Sequence, residues 1–454
     1  MTPLHKLTVS EASAQIAEGG LSPVSLAEAL LERIDRLEPS LEAWVTIDKN
    51  AVMEAAVQLD QELKAKGPRS PLHGIPVGIK DIYYTAGMKT TACSKVYADF
   101  VPTYDATSVS RLKDAGAIVL GKTVTTEFAH NEPPPTVSPW NASHTPGGSS
   151  SGSAVAVAAR MCPAATGSQT GGSILRPSSY AGIVGLKPTF GRVSMYGIAA
   201  LSWSMDTIGP MVNCVEDAAL MLQVMAGHDP MDPRSSIEPV PDYRRALEQM
   251  DKPPRIGIVR DFFFSNAVPE VQKHTEEVVQ LLATAGAQIE EVSLPASFDT
   301  ALDAHTTVVD VECAAFHEEM FRTRADDFGP RLRETIQVGL LIPASHYVQA
   351  QRLRFTYRRE MEALAQQCDV LLTPTTHMAA PGDLSTTGNP WFQSPWTTCG
   401  LPTITIPSGL SPSVGLPLGI QLAASSFAEG RLLAVARWCE QILDVHLVPP
   451  EAQQ

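Results

Sequence analysis

Between Thr145 and Arg192 the chain is dominated by glycine, serine and alanine, and large side chains are few. Residues this small bury little apolar surface of their own. Such a stretch is therefore either a solvated linker or a set of loops and closely approaching backbones held in place by the rest of the protein. The linker reading fails on order. The first Gly/Ser cluster, Thr145 to Ser153, is followed by a second, Gly167-Ser-Gln-Thr-Gly-Gly-Ser173, and by Gly182-Ile-Val-Gly-Leu-Lys-Pro-Thr189. Between the first two, Ser153 to Met161 reads as a helix of small residues, which lets backbones approach closely.

The flanking sequence supplies what this stretch lacks. Ser22-Pro23 has the form of an N-cap with proline at the first helical position, and Leu26, Leu30, Ile34 and Leu37 then recur at helical spacing until Pro39. A second amphipathic helix is predicted from Ala51 to Lys66, with Val52, Ala55, Ala56, Leu59 and Leu63 as its apolar stripe. From Leu72 the texture changes to short apolar runs, Ile75 to Ile79 and Ala117 to Leu120, which read as buried strands. Further strands are predicted at Arg255–Val259, Gln288–Leu294, Asp369–Thr373 and Thr403–Pro407. Helices are predicted at Val268–Gly286, His346–Gln367 and Phe427–Leu443. The alternation predicts one α/β domain over 1–454, with a helical cover (1–66), a core (67–212) and a remainder of sheet and pocket loops (213–454).

Charge narrows the function. With 34 Lys+Arg against 49 Asp+Glu the formal charge is -15, which argues against nucleic acid as the main partner. The seven cysteines are scattered, with no C-x-x-C pair and no zinc-like spacing, and no run of about 18 apolar residues occurs. A soluble cytoplasmic protein without metal or cofactor is expected, contacting neither nucleic acid nor membrane, as a monomer or homodimer.

Two motifs mislead. Gly116-Ala-Ile-Val-Leu-Gly121-Lys122-Thr123 fits G-x-x-x-x-G-K-[ST], yet a phosphate cradle needs a flexible loop before a helix, and Ala117 to Leu120 is a continuous apolar strand. Gly148-Ser-Ser-Ser-Gly152 fits the G-x-S-x-G nucleophile elbow, but the proline-broken loop Trp140 to Gly148 will not serve as the strand that elbow requires.

A third set of motifs fits in order. Pro146-Gly-Gly-Ser-Ser-Ser-Gly-Ser-Ala154, Gly171-Gly-Ser-Ile-Leu-Arg-Pro177 and Gly185-Leu-Lys-Pro-Thr189 resemble the amidase signature family of serine hydrolases. His73-Gly-Ile-Pro-Val-Gly-Ile-Lys-Asp81 upstream resembles it too, as do Asp206-Thr-Ile-Gly-Pro210, Asp369 to Pro374 and Gly400-Leu-Pro402 downstream. The resemblance covers nearly the whole chain and implies a large mixed central β-sheet sandwiched between α-helices. It also implies a catalytic trio of Lys80, Ser149 and Ser173, a cis peptide at Gly148–Ser149, and Ser150 as a hydrogen-bonding helper. The chemistry is consistent with these residue types: a serine hydroxyl needs a base, and lysine is one only when burial or neighbouring charge disfavours its ammonium. Glycines between Gln169 and Ser173 leave N–H groups free to face an oxyanion, so Thr170, Gly171, Gly172 and Ser173 are expected to form that hole.

Gln169 stands where many relatives of the family have aspartate, and Arg176 one place after their arginine, as a charge near the site or a structural tie. The first half also resembles the A subunit of the tRNA-dependent amidotransferase, which hydrolyses glutamine. Arg354 is then a candidate for holding the glutamine carboxylate, but no acid occurs between Leu384 and Pro402 to hold its amino group. That segment instead offers Trp391, Phe392 and Trp396, with Cys399 beside the Gly-Leu-Pro motif, as candidate pocket residues. The sequence therefore favours an amidase for small, fairly apolar or aryl amides, with esters or carbamates as further substrates. The glutamine-hydrolysing subunit is the alternative.

Overall fold

The computed structural model describes residues 2–250 and 252–450. Its strands are β1 (Trp44–Thr46), β2 (Pro76–Lys80), β3 (Ile118–Thr123), β4 (Ala164–Gln169), β5 (Val184–Lys187), β6 (Thr207–Val212), β7 (Arg255–Val259), β8 (Gln288–Val292), β9 (Val370–Pro374), β10 (Thr403–Leu410) and β11 (Pro417–Ala423). They form one sheet in the order β1-β3-β2-β4-β6-β5-β10-β11-β9-β7-β8. The sheet is mixed: β2 runs parallel to both β3 and β4, and β7 to β8 and β9, while β4, β6, β5, β10, β11 and β9 alternate antiparallel.

Every residue of β2, β4, β9 and β11 is buried, as continuous apolar or small-residue runs require of strands covered on both faces. Edge strand β8, with Glu290 and Glu291, is mostly half-exposed or exposed. One apolar cluster gathers Ile75, Val77 and Ile79 with Leu112, Leu222 and Leu432. A second gathers Ile118 and Leu120 with Leu31, Ile34 and the small residues Ala154 to Ala159. The predicted layering of helices around a mixed sheet is the one observed.

Boundaries differ where local chemistry overrides periodicity. The helix Pro23–Leu41 runs past Pro39, and the Glu38 carboxylate eases its exit by accepting the N–H groups of Ala43 (3.0 Å) and Trp44 (2.9 Å). The small-residue helix is Ser151–Ala158, starting two residues earlier than predicted. Its Gly152 is obligatory, because a Cβ there would lie 2.2 Å from the Ala43 carbonyl oxygen and 2.4 Å from the Val124 nitrogen. The long helix Phe298–Arg324 is not evident from periodicity: its apolar positions are broken by His, Thr, Asp and Glu and form no clean stripe. Among the described residues no helix is long and apolar enough to cross a membrane.

Candidate active site

Lys80 ends β2, and its side chain enters the interior beside the Gly/Ser-rich loops. Its Nζ lies 2.7 Å from Ser149 Oγ, 2.9 Å from Ser150 Oγ and 2.8 Å from Ser168 Oγ. Lys80 has no exposed surface, and no carboxylate lies within ion-pair distance of it among the described residues. Burial therefore pushes the ammonium well below the usual lysine range, against a smaller opposing pull from the Asp206 carboxylate. The peptide Gly148–Ser149 is cis. Ser150 N–H donates to the Ser173 carbonyl at 3.3 Å, which ties the two serine loops together. No hydrogen bond joins Ser149 Oγ to Ser173 Oγ directly.

Ser173 lies in the turn between β4 and the helix Leu175–Ala181. Gln169, the last residue of β4, organises that turn. Its Oε1 accepts the N–H groups of Ile174 (2.9 Å) and Leu175 (3.0 Å), and its Nε2 donates to Thr397 Oγ1 at 3.1 Å. A neutral amide thus takes up two of the N–H groups that a helix start leaves unpaired. The four preceding N–H groups, those of Thr170, Gly171, Gly172 and Ser173, donate to no acceptor among the described residues. A Cβ on Gly172 would press on the Gln393 side chain, 2.5 Å from its Oε1.

Two residues that sequence reasoning did not assign complete the cluster. Ser168 is the third hydroxyl on Lys80. Asp206 accepts the Thr170 hydroxyl on Oδ1, and on Oδ2 the N–H groups of Leu201 (2.7 Å) and Ser202 (3.0 Å); burial raises its carboxyl to about 6. The available signals were the position of Ser168 two residues after Thr166 on β4, whose hydroxyl accepts the Lys80 N–H at 3.0 Å, and the Asp206-Thr-Ile-Gly-Pro210 motif itself.

Ser173 opens into a cavity of about 560 Å³, whose lining includes Thr170, Gly171, Gly172 and Arg176. Of the four predicted pocket residues only Trp391 lines it, exposed at 56 %. Trp396 is 1 % exposed and stacks on Phe263 at 5.8 Å between ring centroids, and Phe392 packs edge-on to the same Phe263. Cys399 is buried in that apolar cluster as well, its thiol pushed up to about 11 by burial. Trp396 and Cys399 belong to the short helix Ser394–Cys399, which is buried along its whole length, and Phe392 just before it joins the same apolar cluster. The helix Phe298–Arg324 also lines the cavity, with Asp299, Asp303, His305 and Asp310, so the pocket is more polar than the sequence suggested. Burial raises the Asp310 carboxyl to about 6.

Arg354 does not line this cavity. Its guanidinium donates to the Thr398 carbonyl (3.0 Å), to Ser204 Oγ (3.0 Å) and to the Ser204 carbonyl (2.7 Å), a purely internal set of partners. Arg176 does line it, and its Nη2 ties the Gly148 carbonyl (2.8 Å) to Thr387 Oγ1 (3.0 Å). Lys122, of the phosphate-loop look-alike, sits in β3 with its Nζ bonded to the Tyr83 carbonyl and Thr90 Oγ1 and 3.6 Å from Asp81.

Comparison with known proteins shows the family and the fold. The Amidase family model matches residues 25–433. The A subunit of the glutamyl-tRNA(Gln) amidotransferase of Roseiflexus castenholzii is 38% identical over 490 aligned positions, covering 100% of this chain and 99% of that one. The native peptide amidase of Stenotrophomonas maltophilia superposes with a TM-score of 0.86 at 33% identity, covering 98% of this chain and 99% of that one. A chain from a vestigial protein complex bearing on the origins of an s-triazine catabolic enzyme superposes with a TM-score of 0.91 at 30% identity, covering 97% and 100%.

Proposed function

The chain belongs to the Amidase family, and on that premise we propose that it hydrolyses the C–N bond of small carboxamides through an acyl-enzyme on Ser173. The observation that carries this reading is Lys80, buried 2.7 Å from Ser149 Oγ with no acid beside it among the described residues, next to a turn whose four N–H groups find no acceptor among those residues. Neutral Lys80 takes the Ser149 proton as Ser149 takes that of Ser173, whose Oγ attacks the carbonyl carbon. The N–H groups of residues 170–173 receive the oxyanion. On collapse the C–N bond breaks and the proton returns along the relay to the leaving nitrogen. Water then attacks the acyl ester by the same relay and regenerates Ser173. Direct contact between Ser149 and Ser173 is left to the substrate complex, where catalytic hydrogen bonds tighten.

Two substrate readings follow. In the first, the chain works alone on small, fairly apolar or aryl amides, with esters and carbamates as further substrates; the exposed Trp391 lining the pocket supports it. In the second, it is the glutamine-hydrolysing component of a tRNA-dependent amidotransferase. The relatives favour this second reading over the first, since the A subunits of that enzyme match end to end at 36 to 38% identity. Asp299, Asp303 and Asp310 supply acids for an amino group, while Arg354 is committed elsewhere. The purified chain, assayed alone for ammonia from glutamine and amine from an anilide, separates them. Faster anilide cleavage supports the first reading, and faster glutamine cleavage, or activity only with added partner proteins, supports the second. Ser173→Ala abolishing both activities and labelling by a fluorophosphonate tests the shared chemistry.

A further inference from the structure

His130 and His305 both line the cavity that Ser173 opens into, and they differ in what their nitrogens are left to do. His130 meets Thr335 Oγ1 at 3.0 Å through Nε2, and its Nδ1 is sealed in the protein without a partner. His305, on the helix Phe298–Arg324, lies 2.9 Å through Nδ1 from Thr398 Oγ1. Its Nε2 has no partner among the described residues yet keeps accessible surface, and the cavity is what this half-buried ring borders. The neighbours fix which nitrogen carries the proton. Thr398 Oγ1 lies 2.7 Å from the Ser394 carbonyl oxygen. Two oxygens approach so closely only with a proton between them, and a carbonyl has none to give. The single hydroxyl hydrogen of Thr398 therefore points at Ser394, and a lone pair faces the imidazole. Nδ1 is then the N–H, and Nε2 is a bare acceptor. Burial, and next the Arg354 guanidinium, draw the ring down to about 4, which keeps it neutral at neutral pH. The short helix that holds Thr398 also meets the oxyanion turn: Thr397 Oγ1 donates to the Gly171 carbonyl at 3.2 Å, and Ser394 Oγ is 3.5 Å from where a Gly171 Cβ would stand. One rigid element thus positions His305 and the turn that receives the substrate oxygen.

We propose that His305 is a specificity-determining residue of the pocket, whose Nε2 accepts a hydrogen bond from an N–H that the substrate carries in addition to its scissile carboxamide. The proposal rests on the amide-hydrolase reading and narrows its substrate class to amides with a second donor, such as a further carboxamide, an acylamino group or a ureido group. An amide with an ether or ester oxygen at that place sets lone pair against lone pair and leaves Nε2 desolvated without a partner.

The test exchanges N–H for O in otherwise matched amides: N-acetylglycinamide against 2-acetoxyacetamide, N-methylmalonamide against methyl malonamate, and N-methylsuccinamide against methyl succinamate. Binding is measured by calorimetry on full-length Ser173→Ala, and ammonia release on the wild type. In at least one pair the N–H member is expected to bind about tenfold or more tighter, as a polar site discriminates against a ligand that leaves it unpaired. His305→Phe, which keeps a ring and removes the acceptor, is expected to erase that ratio. Pairs that bind alike, or not at all, overturn the assignment whatever the state of any variant. So does a His305→Phe protein, folded by circular dichroism, that keeps the ratio. Asp299, Asp303 and Asp310 are the competing acceptors on the same helix. Loss of the ratio in D299A/D303A/D310A also overturns the assignment to His305, and its retention supports that assignment even where His305→Phe does not fold. The two readings fail separately. Equal turnover of both members of every pair sinks the acceptor and leaves the hydrolase standing, while His305-dependent binding of an N–H member with no turnover of any amide does the reverse.

Discussion

Two lysines on neighbouring strands, Lys80 in β2 and Lys122 in β3, share zero exposure and differ in what surrounds the ammonium. Lys122 has Asp81 at 3.6 Å, the Thr90 hydroxyl at 2.8 Å and the Tyr83 carbonyl; burial pulls it to about 8, so it is mostly charged at pH 7. Lys80 has three serine hydroxyls and, among the described residues, no acid in contact, and burial pushes it well below the usual lysine range. Burial alone therefore does not make a base. Burial with hydroxyl partners, which stabilise neutral amine and ammonium alike, leaves a lysine free to accept a proton. Burial with a carboxylate turns the same side chain into a structural ion pair.

The largest effect that would break this contrast is at Lys80 itself. Lys80→Met is expected to lower kcat by 10² to 10⁴-fold, roughly the worth of a positioned general base, with melting temperature nearly unchanged. Lys122→Met should do the opposite. It leaves Asp81 buried with one partner gone, a loss of roughly 3–5 kcal/mol in denaturant unfolding, and Lys122→Met combined with Asp81→Asn should recover much of it. If Lys122→Met cost activity without stability, the assignment of the two roles would be wrong.

A third substitution tries to convert one environment into the other. Ser168→Asp places a carboxylate where Lys80 now meets a hydroxyl, and an acid neighbour favours the ammonium. The Lys80 pKa then rises, so the active neutral form is reached only at higher pH. The acid limb of kcat/KM is expected to move upward by about one to two units, the usual reach of a close opposite charge, with activity at neutral pH lowered and partly restored by alkali. An unmoved limb would mean that Lys80 deprotonation does not control the rate.

Legibility in the sequence followed the same divide. β2 and its terminal Lys80 were readable because Ile75 to Ile79 is an unbroken apolar run, and Ser149 and Ser173 because their motifs stand in family order. The cap that Gln169 provides was not readable, since it depends on a strand end facing a helix start across the turn. Nor was the pocket wall. The helix Phe298–Arg324 half-buries many positions and lacks a clean apolar stripe, so its aspartates could not be placed in the cavity that Ser173 lines. Trp396 and Phe392 read as pocket residues because aromatic side chains near proline suit a binding loop, yet an indole and a phenyl ring packed around Phe263 gain more from full burial.

The smallest effect compares one hydroxyl from each environment. Ser150 Oγ lies 2.9 Å from Lys80 and also receives the Ser168 N–H at 3.3 Å, while Thr90 Oγ1 lies 2.8 Å from Lys122. Removing one intramolecular hydrogen bond costs about 0.5–1.5 kcal/mol, so Ser150→Ala and Thr90→Val perturb their lysines by similar amounts. The deficits should appear in different measurements. Ser150→Ala loses orientation of the proton acceptor, and kcat is expected to fall by roughly two- to tenfold with little change in KM or unfolding free energy. Thr90→Val withdraws one of the contacts that offset the burial of a charged ammonium, so about 1 kcal/mol is expected in unfolding free energy with kcat preserved. Rate and stability losses appearing together in both variants would show that the two clusters form one network, with hydroxyl or carboxylate company making no division of labour between the lysines.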